Sequence, residues 1–460
     1  SSGAVADEID ELATYDPKYR CDGLKRLTFW GKACASEANI AEMSDDDLLG
    51  YAILKQDTVP GYHSRWHIFE SVFRKYGHHH NCVPGEGRFK VACGQQTFEV
   101  PGVMYCQQNS LNKACAQVAL RSLLSRILPA QDILYRDMNA IALQIDHNFK
   151  IGQGLDSTKI RAILDHYGVL YDDLDYTAPS VSTDFPYSRL LYSGIENGMG
   201  GLLGFELTGA GAQGERHIIP FYGHTFNQDS WVPRASLAYF HVGDNTRYIS
   251  SEEWMGSFIG HDDNFGSNYC VPRRFLETDQ VKYVVALRPP DTAYGAIYAE
   301  AIGVDFLYSM EDELRASGNY WVQKLVHHIN EQDVVLRTLC MTRDEYVAHL
   351  RYVRDWQGSA EGEAIPLAFQ SSLPDHLWIV EVSIPELFPA NYRKLGELIL
   401  DARVPTSFYQ SGVRVELLAR LPGAYYINLN SAGVAADFKS IPSSLQSHVA
   451  VHRGRTVPGN

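Results

Sequence analysis

Apolar residues recur every three to four positions in some stretches of the chain and cluster in short β-branched or aromatic runs in others, and these two rhythms outline the elements. Residues 45–54 place capping acids before an apolar stretch, and residues 66–77 carry an apolar stripe that stops at Gly77. Both are expected to be helices. Residues 88–92 and 97–100 read as strands. Residues 114–128 then set Val118, Leu120, Leu123, Leu124, Ile127 and Leu128 on a helix that Pro129 ends. A second helix is expected over 157–168, capped by Asp156 or Ser157. Strand-like runs follow at 201–207, 217–222, 237–242 and 281–287, and Pro289-Pro290 marks a boundary. Beyond it, helices are expected over 309–317 and 342–356. Residues 358–363 read as a loop, and strands are expected over 377–382, 413–418 and 425–429.

The order of elements predicts an α+β protein in three parts. These are a mainly helical N-terminal region over 1–95, a core of helix packed on antiparallel sheet over 96–290, and a C-terminal α/β region over 291–460. With 460 residues the chain is long enough for two or three domains. A net charge of -15 argues against nucleic-acid binding, which needs clustered Lys and Arg. No apolar run reaches the length of a membrane span. Residues 1–8 lack the charged and apolar regions of a signal peptide. The 8 cysteines are scattered without a Cys-x-x-Cys pair, so mostly free thiols in a reducing, cytoplasmic setting are expected.

Chemistry concentrates in residues 105–120. Gln107 and Gln108 precede a small polar loop, and Cys115 opens the apolar helix. A thiolate rather than a thiol attacks, and a helix N-terminus favours negative charge through its unpaired N–H groups. Gln108, seven residues upstream, can give a side-chain N–H to an oxyanion, with the Cys115 N–H as the second donor. A base must come from elsewhere. His217 opens an apolar run ending at Gly223, and Asp244 or Asn245, at the end of the next strand, could orient its imidazole.

This arrangement resembles the papain-like cysteine peptidases, in particular the branch of bacteriocin-leader (double-glycine) peptidases and phytochelatin synthase. Gln108, Cys115, His217 and Asp244 fall on that group's Gln, helix-opening Cys, strand-opening His and strand-ending Asp. Residues 154–157 and 249–254 resemble its connecting features, and the likeness covers roughly 97–290. The chain departs from it by having Ala116-Gln117 after the Cys and Asn245 where Pro is usual. The resemblance implies a papain-like core and a thiol-dependent peptidase or amidase. Its substrate would be a peptide or protein, no cofactor or metal is implied, and a Cys-His-Asp triad would act. An acyltransferase of the transglutaminase or phytochelatin-synthase type, or a silent papain-like binding module, are the other readings.

Other residues compete for these roles. Cys106 sits in a β-like run and is expected to be buried. His224 is placed in a turn after Gly223, His241 lies in mid-strand, and Asp229 is a remote alternative to Asp244. Residues 78–82 with Cys93 lack the second spaced pair of a zinc site, and 261–264 lack the spacing of a calcium loop. Both are expected to be solvated loops. The glycines of 194–214 do not follow a phosphate-loop pattern and suggest a flexible turn. The flanking parts are expected to select what reaches Cys115.

Overall fold

The structure is a computed structural model. It describes residues 2–34, 36–74, 81–179, 185–207, 214–226, 240–242, 246–277, 279–352, 371–388, 393–405, 415–421, 424–427, 437–440 and 448–449. It mixes helices with mainly antiparallel sheets, an α+β architecture. Two compact units form. One joins the chain up to His224 with Ser257–Leu287, and the other joins Thr225–Gly256 with the chain from Arg288.

The first unit begins with α1 (Ser2–Tyr15), β1 (Arg20–Trp30), the short α2 (Glu37–Ile40), β2 (Leu48–Val59), β3 (His63–Phe73), β4 (Asn81–Cys82), β5 (Gly87–Cys93) and β6 (Gln96–Tyr105). The expected helices over 45–54 and 66–77 are therefore corrected to strands, and the N-terminal region is mainly sheet. β2 and β3 pair along almost their whole length, from Gly50 opposite Phe73 to Val59 opposite His63. Within 66–73 the residues Trp66, Ile68, Phe69, Val72 and Phe73 are aromatic or β-branched types that suit a pleated surface. Long-range pairing with β1 and β6 outweighs their helical spacing. The five strands lie in the order β1-β2-β3-β6-β5.

Helices α3 (Cys115–Ile127), α4 (Tyr135–Ile145) and α5 (Ser157–His166) follow, then β7 (Tyr171–Asp175), α6 (Tyr187–Glu196), β8 (Gly201–Leu207) and β9 (Glu215–Phe226). Asp156 caps α5, accepting from the Lys159 N–H. After β10 (Phe240–Val242) and β11 (Thr246–Ser250) of the second unit come β12 (Met255–Asp262), β13 (Gly266–Pro272) and β14 (Val281–Leu287). These form a sheet in the order β13-β12-β9-β8-β14-β7, with β4 beside β9. Part of the glycine-rich stretch is regular. Gly194 lies in α6 and Gly201 and Gly204 in β8, while 208–213 fall outside the described residues. Gly200, at φ +75°, brings its backbone so close to Phe221 and α3 that a Cβ would meet the Phe221 carbonyl at 2.5 Å.

Helix α3 is the buried spine of this unit. Val118, Leu120, Leu123 and Leu124 are almost fully enclosed, and so are the polar Gln117, Arg121, Ser122 and Arg126. Arg121 pairs with Glu70 of β3 and stacks over the Phe69 ring at 4.4 Å. Arg126 donates to the carbonyls of Gly85, at 3.2 Å, and Met199. Replacing Arg121 with alanine would leave Glu70, 1% exposed, as an unpaired buried carboxylate. The expected cost is about 3–5 kcal/mol, read as a lower midpoint in urea. Converting Glu70 to leucine in the same chain is expected to restore part of it.

The second unit centres on the sheet β10-β11, then strands Val335–Thr342, His376–Ser383, Gly396–Asp401, Glu416–Leu421, Ala424–Ile427 and Asp437–Ser440. Helices Ala296–Ser309 and Tyr320–Glu331 pack in the same core as Trp378, Val380 and Leu398. The expected strands over 377–382 and 425–429 are present as far as the described residues reach, and 358–363 lie outside them. Glu381, Lys394, Glu397, Arg337 and Arg420 form a buried ionic network in this unit. No helix among the described residues is long and apolar enough to cross a membrane. None of the eight cysteines is in a disulfide.

Candidate thiol site

Cys115 is the first residue of α3 and is partly exposed. The loop before it is tied at several points. Asn109 accepts from the Leu111 and Asn112 N–H groups at 2.9 and 3.2 Å and donates to Glu8 at 3.0 Å. Arg65 donates to the Ser110 hydroxyl at 3.0 Å, and Ser110 takes φ +63°. Ala114 stands at the N-cap, and no side chain caps the helix. A capping Ser or Asp would add about 1 kcal/mol of helix stability. Its absence leaves the first N–H groups of α3 without a side-chain acceptor.

His217 lies near the start of β9, opposite Phe205 of β8, whose ring meets the imidazole edge-on at 5.7 Å. The Cys115 side chain lies close enough to the imidazole to favour its charged form. Its Nε2 lies 3.3 Å from Oδ2 of Asp262 and 3.4 Å from Oδ1 of Asp263. Burial opposes charge on this ring, but the bond to Asp262, the nearby Cys115 side chain and the charges of both acids outweigh it. Together they raise the His217 pKa to about 10. Asp262 moves the other way: burial would raise it, but the His217 bond and the N–H groups of Asn264 and Phe265 hold it below the ordinary carboxylate range.

Asp263 differs from its neighbour. Burial raises its pKa to about 6, only partly offset by His217, and its Oδ2 has no hydrogen-bond partner among the described residues. The folded state therefore holds this proton more tightly than the unfolded chain does. The resulting stability is complete below pH 3.8 and is lost as the pH rises through about 6. Asp263→Asn keeps a neutral side chain at every pH. It is expected to raise stability at pH 8 by on the order of 2–3 kcal/mol, with the gain vanishing below pH 4. Urea unfolding at both pH values measures it, and an equal effect at both would refute the assignment.

Sequence reasoning placed the orienting acid at Asp244 or Asn245. Both lie outside the described residues, as do Asp229 and the histidines 78–80. Among the described residues the acids at His217 are Asp262 and Asp263. The expectation of a solvated loop at 261–264 is corrected, since all three of His261, Asp262 and Asp263 are buried. His261 accepts from the Asn268 N–H at 3.2 Å, and burial lowers its pKa to about 3, so it stays neutral. A usable signal was present. Residues 255–262 form a strand that ends in Asp before a turn, the pattern sought near 244, but two glycines and adjacent charges disguised it.

The two glutamines separate cleanly. Gln107 is part of the framework: its backbone N–H donates to the Ile68 carbonyl at 2.9 Å, and its side-chain oxygen accepts from the Ile68 N–H at 3.1 Å. Gln108 instead points its Nε2 at Oδ1 of Asn264, 2.5 Å away, beside the two acids. Cys106 is 1% exposed, and burial raises its thiol to about pKa 11. His224 is not in a turn. It lies within β9, wholly buried, and bonds Glu196. His241 falls in β10, on the second unit.

The ligand atoms of His217, Asp262 and Asp263 lie within 4.8 Å of one another, close enough to share a cation. With Cys115 near the imidazole, the group can also be described as a thiol–imidazole–carboxylate chain. Such a chain can move a proton between sulfur and an attached group. Comparison with protein-family models, curated proteins and solved structures returns no match to this chain.

Proposed function

We propose that the chain is a thiol-dependent acyl-transfer enzyme that cleaves an amide bond in a peptide or protein. The observation that carries this reading is the contact chain from Cys115 through His217 to Asp262. In it, the Cys115 sulfur attacks an amide carbonyl, His217 protonates the leaving amine, and a carboxylate holds the imidazole in place. The uncapped N–H groups at the helix start serve the developing oxyanion, and the Gln108 amide, one of whose N–H groups is given to Asn264, is assigned to it through the other. Water as acceptor gives a peptidase or amidase. An amine or thiol acceptor gives a transferase, and product masses with and without added amine distinguish the two. The likeness to the papain-like peptidases shares Gln108, Cys115 and His217 with this chain, although its acid falls on Asp244 rather than Asp262, and it supports the same chemistry.

Gln108→Ala is expected to lower kcat by about 10²–10³ with KM nearly unchanged. Gln107→Ala is expected to leave kcat intact and cost about 1 kcal/mol of stability through its lost bond to Ile68. Steady-state kinetics on the two variants test both halves. A change confined to KM in Gln108→Ala would remove it from the oxyanion role.

The silent-binding reading is tested by a thiol-reactive activity probe. Labelling of Cys115 no faster in the folded protein than after denaturation would favour binding over catalysis.

A further inference from the structure

We propose that Cys82, Glu196 and His224 form a structural binding site for a divalent transition-metal ion, zinc by the chemistry of the ligands. The three residues are far apart in sequence and come from β4, the last position of α6, and β9. Their side chains are 0–1% exposed, and their donor atoms all lie within 4.8 Å of one another. His224 Nε2 is 2.8 Å from Glu196 Oε2, and the imidazole also hydrogen-bonds Cys82. The Tyr192 ring packs 5.2 Å from the imidazole and encloses it further. Thiolate, imidazole and carboxylate are together the donor set that zinc selects, at roughly 2.0–2.3 Å.

Charge supports the assignment. A dication with one thiolate, one carboxylate and one neutral imidazole is a neutral assembly, which a buried site tolerates far better than separate ions. Binding is balanced by release of the protons that the thiol and the imidazole carry beyond the thiolate and neutral ring that ligate the ion. As the proton shared between His224 and Glu196 leaves, their separation would open from 2.8 Å to about 3.3 Å, the span of two ligands on a tetrahedral zinc. The fourth position is left to water.

The placement suggests what the ion does. Asn81–Gly85 crosses the end of α6, where a Cβ on Gly85 would meet the Gly198 carbonyl at 2.2 Å, and one on Gly223 would meet the Cys82 carbonyl at 2.9 Å. Backbones this close hold the segment against α6 and β9. A metal at Cys82 fastens the two-residue β4 to both. The site shares no residue with the Cys115 chain, so it stands whether or not the chain is an enzyme.

The test is the metal content of the full chain, purified without a metal-affinity tag from zinc-supplemented culture. About one zinc per chain is expected. After exchange into cobalt, a near-ultraviolet thiolate-to-cobalt charge-transfer band is expected. Both should be lost in Cys82→Ala and kept in Cys93→Ala. Wild-type protein with neither stoichiometric zinc nor the cobalt band would overturn the proposal, even if Cys82→Ala failed to fold. So would a folded Cys82→Ala that kept the metal.

Discussion

Replacing Cys115 with alanine is expected to reduce amide cleavage by about 10⁴-fold or more, the usual consequence of removing a covalent nucleophile. The fold should survive. Cys115 is only partly buried, it opens the helix rather than filling the core, and alanine is the best helix former. The matching chemical test compares two thiols 9 residues apart, Cys115 and Cys106, by iodoacetamide labelling and peptide mapping below pH 7. Cys106, enclosed and raised to about pKa 11, should react far more slowly. Equal labelling of the two would sink the nucleophile assignment.

The second large effect is expected at Asp262. Asp262→Asn keeps the size of the side chain but removes the charge that stabilises the His217 imidazolium. The loss expected is about 10³–10⁴-fold in kcat. A second readout separates this from a merely structural role. Asp262 is the largest cause raising the His217 pKa against burial, so in the variant the ring should lose its proton well below pH 10. Histidine NMR across pH 5–10 follows that titration directly. An unchanged His217 titration with full activity would remove Asp262 from the chain and return the question to Asp263. The paired prediction for Asp263, a gain in stability above pH 6, makes the two neighbours distinguishable in one set of variants.

The parts of the site that were legible in the sequence are those set by local physics. Cys115 was readable because helix α3 announces itself through Val118, Leu120, Leu123 and Leu124, and the cysteine stands at its first turn. His217 was readable because a strand begins around it. The acid was not, because it depends on which strand lies next to β9. Proximity in the chain suggested 237–242, whereas β12 is the strand that takes that place in the sheet. Cys82, Glu196 and His224 were hidden for the same reason, since no fixed spacing links residues from three separate elements. The N-terminal sheet was misread because residues 45–54 and 66–77 satisfy a helical period and a pleated one alike. Only the pairing of β2 with β3 decides between them.

Helix α3 has a further, mechanical consequence. With Arg121 held by Glu70, and Arg126 by two carbonyls, any rocking or sliding of the helix would break charged contacts in a dry interior. The sulfur of Cys115 is therefore mounted on a helix pinned by charged contacts. The loop before the sulfur is tied as well, through Asn109 and Ser110, so little compliance is available on that side. An inhibitor that relies on the thiol moving to meet it should fail, whereas one shaped to reach the sulfur where it stands should succeed.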